Sequence, residues 1–209
     1  MEFSETRMLK YLLIFIGLLV IFTAVWASVK STDFQYQSLQ DVGGIVFGVM
    51  ALLFGLKLGD AYHTKVSLMS GFILVMGAAI ATRELCFMTS EAAANGGSIT
   101  INVMLPFIGV VMGFILSGSS NYITGKKESK HTKKIWILVI FAFVVLCAVM
   151  IYRIYDLLPL YDVTPAFYAV LIGYLCYIAI FVYGIYAMLS YEIKYHMKIG
   201  IIPAPDEDP

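Results

Sequence analysis

Charge is scarce in this chain of 209 residues: Asp, Glu, Lys and Arg together make up 13% of it. Soluble domains carry about a quarter, so there is too little charge here to clothe a water-facing surface. Cysteine is also sparse. Cys86, Cys147 and Cys176 stand apart from one another and from histidine, with no CxxC. That argues against a disulfide framework, a zinc site or a redox thiol, and for small apolar packing residues. The three histidines, His63, His131 and His196, fall outside the apolar runs, which removes the facing axial ligands a membrane haem needs. Asp60 and His63 have i,i+3 spacing, but two ligands do not make a metal site. No motif supplies an ATPase loop, a nucleophile with its base or an oxyanion hole. The formal net charge of zero gives no field for nucleic acid. No cofactor and no nucleic-acid partner are expected.

What the chain has instead is apolar sequence, 60% of all residues, with a mean hydropathy of +0.86. Runs between polar breaks lie near 11–29, 42–62, 66–88, 99–117, 135–158 and 166–191, each close to the ~20 residues that cross a bilayer as a helix. The expected fold is all-α: a polytopic integral membrane protein built as one six-helix bundle. A short segment, 1–10, precedes it and a tail, 192–209, follows, whose IIPAPDEDP end is too polar to pack. The first run, from Tyr11 to Val29, exceeds the ~7–15 apolar residues of a cleavable signal, so that helix is expected to remain.

An even number of spans puts both termini on one side. Eleven of the fourteen Lys and Arg residues share that side: Arg7, Lys10, Lys57, Lys65, Lys126, Lys127, Lys130, Lys133, Lys134, Lys194 and Lys198. Lys30, Arg83 and Arg153 are left for the other. The positive-inside rule therefore predicts cytoplasmic N- and C-termini in a cell membrane, with the KKESKHTKK stretch acting mainly as a topology marker.

Small residues mark the faces on which helices meet. Gly44, Gly48, Ala51, Gly55 and Gly59 keep to one stripe of the second span, and Asn102, Pro106, Gly109, Gly113 and Ser117 to one stripe of the fourth. Such faces suit tight helix seams, or contact with other membrane subunits. Pro106 cannot donate to the carbonyl of Asn102, so that stripe also carries a free acceptor.

The candidate site rests on ionisable residues near the ends of the third and fifth spans: Arg83, Glu84, Arg153 and Asp156, with Asn102 and Glu91 nearby. Charges at this depth cost several kcal/mol unless compensated, so a mutually paired cluster is expected. Glu84 shares a stripe with Ser70, Gly77 and Ala81 and should face inward. Arg83, turned ~100° away, is expected to snorkel outward. Arg153 and Asp156, three residues apart, are expected to pair along their own helix, beside the interface aromatics Tyr152 and Tyr155. Tyr168, Tyr174, Tyr177, Tyr183, Tyr186 and Tyr191 line the last span, more readily as packing aromatics than as a hydroxyl-lined route.

These features predict a non-enzymatic multi-pass component, a small transporter or solute binder, holding a small polar or charged solute at the extracytoplasmic ends of helices three to five. The alternative is a structural or assembly subunit in which the charges only clamp helices. A Glu and Asp sharing acid and base roles is less favoured, because nothing else of an active site accompanies them. In size, span number and inside termini the chain is similar to the substrate-binding membrane components of energy-coupling-factor vitamin transporters. It departs from them on the first helix, where Ala24 and Ala27 are spaced AxxA instead of AxxxA.

Overall fold

A computed structural model describes residues 2–30, 34–58, 65–123, 130–158 and 165–195. Gly59, Asp60, His63, Lys126, Lys127, His196, Lys198 and the IIPAPDEDP tail lie outside the described residues. Six helices account for nearly everything else: α1 (Glu2–Lys30), α2 (Phe34–Lys57), α3 (Lys65–Ala94), α4 (Ile101–Ile123), α5 (Lys130–Leu157) and α6 (Pro165–Tyr195). Among the described residues there is no strand. All six expected helices are present, and each is long and apolar enough to cross a bilayer, consistent with an integral multi-pass membrane protein.

The helix ends follow from local chemistry. Proline at the first position of α6 has no N–H to waste there and a φ already set for a helix. Between α3 and α4 the turn is glycine-built: Gly97 N donates to Ala92 O at 2.8 Å and Gly96 N to Ala93 O at 3.3 Å. That bonding closes α3 in a Schellman motif, and Gly96 adopts the left-handed φ of 61° it requires. Three residues later Thr100 opens α4, its carbonyl accepting from the N–H groups of Val103 and Met104, each at 3.0 Å. Because the stop comes at Ala94 and not near residue 88, α3 gains more than a turn over the sequence expectation. The gain carries Glu91 onto the helix, two turns beyond Glu84 and on the same stripe.

Each helix packs on its neighbours in the chain, α6 returns to α1, and α3 reaches across to touch α6. The six helices thus form a closed ring. Two of its seams are the glycine stripes expected from sequence. A methyl group placed on Gly48 of α2 would lie 2.8 Å from the carbonyl oxygen of Gly17 on α1, and one on Gly17 would lie 2.7 Å from that of Gly48. On the other seam, a methyl on Gly113 of α4 would meet Ala81 N of α3 at 2.7 Å, and one on Gly77 would meet Ser117 N at 2.5 Å. Backbone meets backbone at both places, which is how small residues let helices approach where burial alone gives little drive.

The middle of the ring is filled by aromatic rings. Phe47, Phe72, Phe143 and Phe181 are fully buried. Phe72 lies 6.4 Å from both Phe54 and Phe143, and Phe143 lies 6.3 Å from Phe181, centroid to centroid. Large apolar side chains such as Phe15, Phe22, Phe114 and Phe141 face outward and are more than half exposed. Helices apolar on both faces are those that suit a hydrocarbon surround.

Candidate functional site

Where α1, α3 and α5 finish and α2, α4 and α6 begin, the apolar interior gives way to charge. Its centre is Glu84, which is fully buried. Arg153, from α5, donates through Nη2 to Glu84 Oε2 at 2.7 Å, with Nη1 to Oε1 at 3.5 Å. Arg83 donates through Nη1 to the same Oε1. One carboxylate therefore holds two guanidiniums, and the buried trio keeps one surplus positive charge. Aromatic rings supply part of the compensation. Phe87 lies within reach of both cations, its centroid 4.4 Å from Arg83 Cζ and 4.6 Å from Arg153 Cζ, and Tyr177 lies 4.2 Å from Arg83 Cζ.

Glu84 lies flat on α4 because position 109 is glycine. A methyl group there would come within 2.5 Å of Glu84 Cγ and 2.9 Å of Oε2. Gly109 belongs to the expected seam, but its particular duty, making a berth for a carboxylate, was not read from the sequence.

Two expectations about this cluster fail. Arg83 does not snorkel outward: it is 3% exposed. The expectation assumed one inward face on α3, whereas α3 packs on α2, α4 and α6, so a turn of ~100° from Glu84 leads into another part of the interior. Gly43 of α2 gives it room, since a methyl there would sit 3.0 Å from the Arg83 carbonyl oxygen. Nor do Arg153 and Asp156 pair. Arg153 turns inward, where the buried carboxylate most needs a partner, while Asp156 is exposed near the helix end and forms no ion pair among the described residues.

Two cavities flank the cluster. The larger, about 390 Å³, lies among α1, α2, α3 and α6 and is lined by Thr23, Asp41, Arg83, Glu91 and Tyr177, among others. The smaller, about 140 Å³, lies among α3, α4 and α5 and is lined by Asn102, Pro106, Arg153 and Asp156. Gln40, Phe87, Glu91 and Tyr174 line both. Glu84 lines neither. It stands behind, fixing Arg83 toward one cavity and Arg153 toward the other.

Polar contacts steady the walls. Gln40 Nε2 donates to Glu91 Oε1 at 3.1 Å and to Ser90 Oγ at 3.3 Å, and Ser28 donates to Asp41 Oδ2 at 2.6 Å. All six sequence candidates are thus at one end of the bundle. Arg83, Glu84 and Arg153 are in direct contact, while Glu91, Asn102 and Asp156 are cavity walls.

Gln40, Asp41, Phe87 and Tyr174 were missed as wall residues. Gln40 and Asp41 fall just before the second apolar run and read as its boundary. The i,i+3 pair Tyr174 and Tyr177 was visible, but nothing distinguished it from Tyr168 and Tyr186, which point outward. Among the described residues no group of three His, Cys, Asp or Glu is placed to hold a metal ion. No family model, no curated protein and no solved structure matches this chain.

Proposed function

We propose that this protein is a non-enzymatic, multi-pass membrane component that binds a small polar, charge-bearing solute at the extracytoplasmic end of its bundle, with both termini in the cytoplasm. The observation carrying this reading is the division of labour around Glu84. A carboxylate needed only as a helix clamp would consume its arginines, yet each guanidinium also forms the wall of a cavity. The larger cavity has room for roughly a dozen waters at about 30 Å³ each, and it combines a cation with the carboxylates of Asp41 and Glu91. Its size falls within the range of ordinary small-molecule sites. Orientation rests on the bias of Lys and Arg toward the opposite end. The aromatic filling of the ring favours binding over free passage.

The alternative, a structural or assembly subunit, draws support from the bridge of Glu84 to Arg153, which alone would tie α3 to α5. Native mass spectrometry of protein purified in mild detergent separates the two. The binding reading expects a small molecule on the wild type that is lost from Asp41→Asn and Glu91→Gln, both still folded. A wild type carrying only stoichiometric partner chains would favour the assembly role and overturn the binding one.

A further inference from the structure

On the outside of the ring, between α1 and α6, lies an apolar groove of about 410 Å³ walled by Leu19, Phe22, Trp26, Tyr168 and Ile172. Its remaining lining residues, Thr23 and Ala169, also line the polar cavity inside. Groove and cavity are therefore back to back, and the partition is thin. Thr23 and Ala169 are small, and Gly173 continues the wall with no side chain at all. A methyl group at 173 would have Thr23 Oγ1, at 3.8 Å, as its one close neighbour.

From these facts we infer that the occupant of the site is a single-chain amphiphile that enters sideways from the membrane, its head in the inner cavity and its chain in the α1–α6 groove. The inference rests on the solute-binding reading and specifies its ligand class. Three observations carry it. First, an apolar groove and a charged cavity meet across one layer of small side chains, which matches a molecule apolar at one end and charged at the other. Second, α1 and α6 are the first and last helices of the ring, so theirs is the one seam that no loop joins. It can part without straining a connection. Third, Trp26 and Tyr168 border the groove, and amphipathic rings of this kind settle at headgroup level, where a lipid's head and chain divide.

The head can be described from its walls. Arg83, a cation in the cavity wall, calls for an anionic oxygen. Asp41 and Glu91 call for an ammonium or a hydroxyl. A phosphate ester bearing an amine satisfies both, and the same head exists free in water as phosphoethanolamine.

The test uses the full chain in dodecyl maltoside, where a chain without the charged head is always present. Palmitoyl lysophosphatidylethanolamine should raise the unfolding temperature saturably, and O-phosphoethanolamine should need a concentration roughly tenfold higher or more, for want of the buried chain. Ala169→Leu, which thickens the partition, should weaken the lysolipid shift far more than the phosphoethanolamine response. Gly173→Ala, whose methyl fits in ordinary contact, should weaken the lysolipid shift even if Ala169→Leu fails to fold. Equal potency of the two probes, or a lysolipid shift untouched by both variants, would overturn lateral entry and leave a water-borne solute as the ligand. Silence toward both probes overturns the amphiphile; if Asp41→Asn and Glu91→Gln also leave the co-purified small molecules unchanged, the binding site falls with it.

Discussion

Glu84 is the residue on which the charged end depends, because it is the fully buried counter-ion of two cations that are themselves largely withdrawn from water. Glu84→Gln keeps the shape and removes the charge, leaving two neighbouring guanidiniums uncompensated. A loss of about 3–5 kcal/mol is expected, the usual cost of stripping one partner from a buried pair, read as a large drop in thermal unfolding temperature in detergent. Glycine gives a finer comparison. Gly109→Ala places a methyl against Glu84 and should cost about 1–3 kcal/mol by overpacking. Gly118→Ala, on the same helix but with open space around it, should be neutral or stabilise by about 0.5–1 kcal/mol through its better helix propensity. A Gly109→Ala protein as stable as Gly118→Ala would show that the carboxylate does not rest on α4. At this scale the sequence was informative about Glu84, whose stripe of small neighbours marks an inward face. It misled about Arg83, since snorkelling presumes that some face of the helix looks outward.

The turn linking α3 to α4 shows what sequence discloses about elements. Gly96 and Gly97 are visible as a break, but a break does not say on which side of it the helix stops. The backbone bonds to Ala92 and Ala93 decide that, and they extend α3 far enough to seat Glu91 in the cavity wall. Gly96→Ala should cost about 1 kcal/mol or a little more by forcing a side chain into left-handed backbone. No clash adds to this, because nothing lies within 4 Å of the position, and Gly96→Asn should recover part of the loss. Denaturant titration of the three proteins checks the order. Seam partners were less legible than seams. The stripes on α2 and α4 announce close neighbours, but that α1 meets one and α3 the other emerges only when the ring closes.

For the whole molecule, span number and length were readable because both follow from one quantity, the apolar residues needed to cross a bilayer. The order of helices around the ring was not, since a stripe of small residues marks a contact face without saying which helix meets it. Orientation is open to a direct check. With Cys86, Cys147 and Cys176 replaced, a single cysteine at Ser98 should react with a membrane-impermeant maleimide in intact cells, and one at Ser129 should react only after lysis. The reverse pattern would invert the molecule and place the cavities in the cytoplasm. The ring's filled centre has a further consequence. Gly184 lacks the methyl that would otherwise press to 2.8 Å from the Phe143 ring, so the phenyl ring packs there against bare backbone. If aromatic packing of this kind closes the centre to ions, a cell crowded with this protein should hold its electrical potential as firmly as one without it, and a collapse of that potential would count against a closed centre.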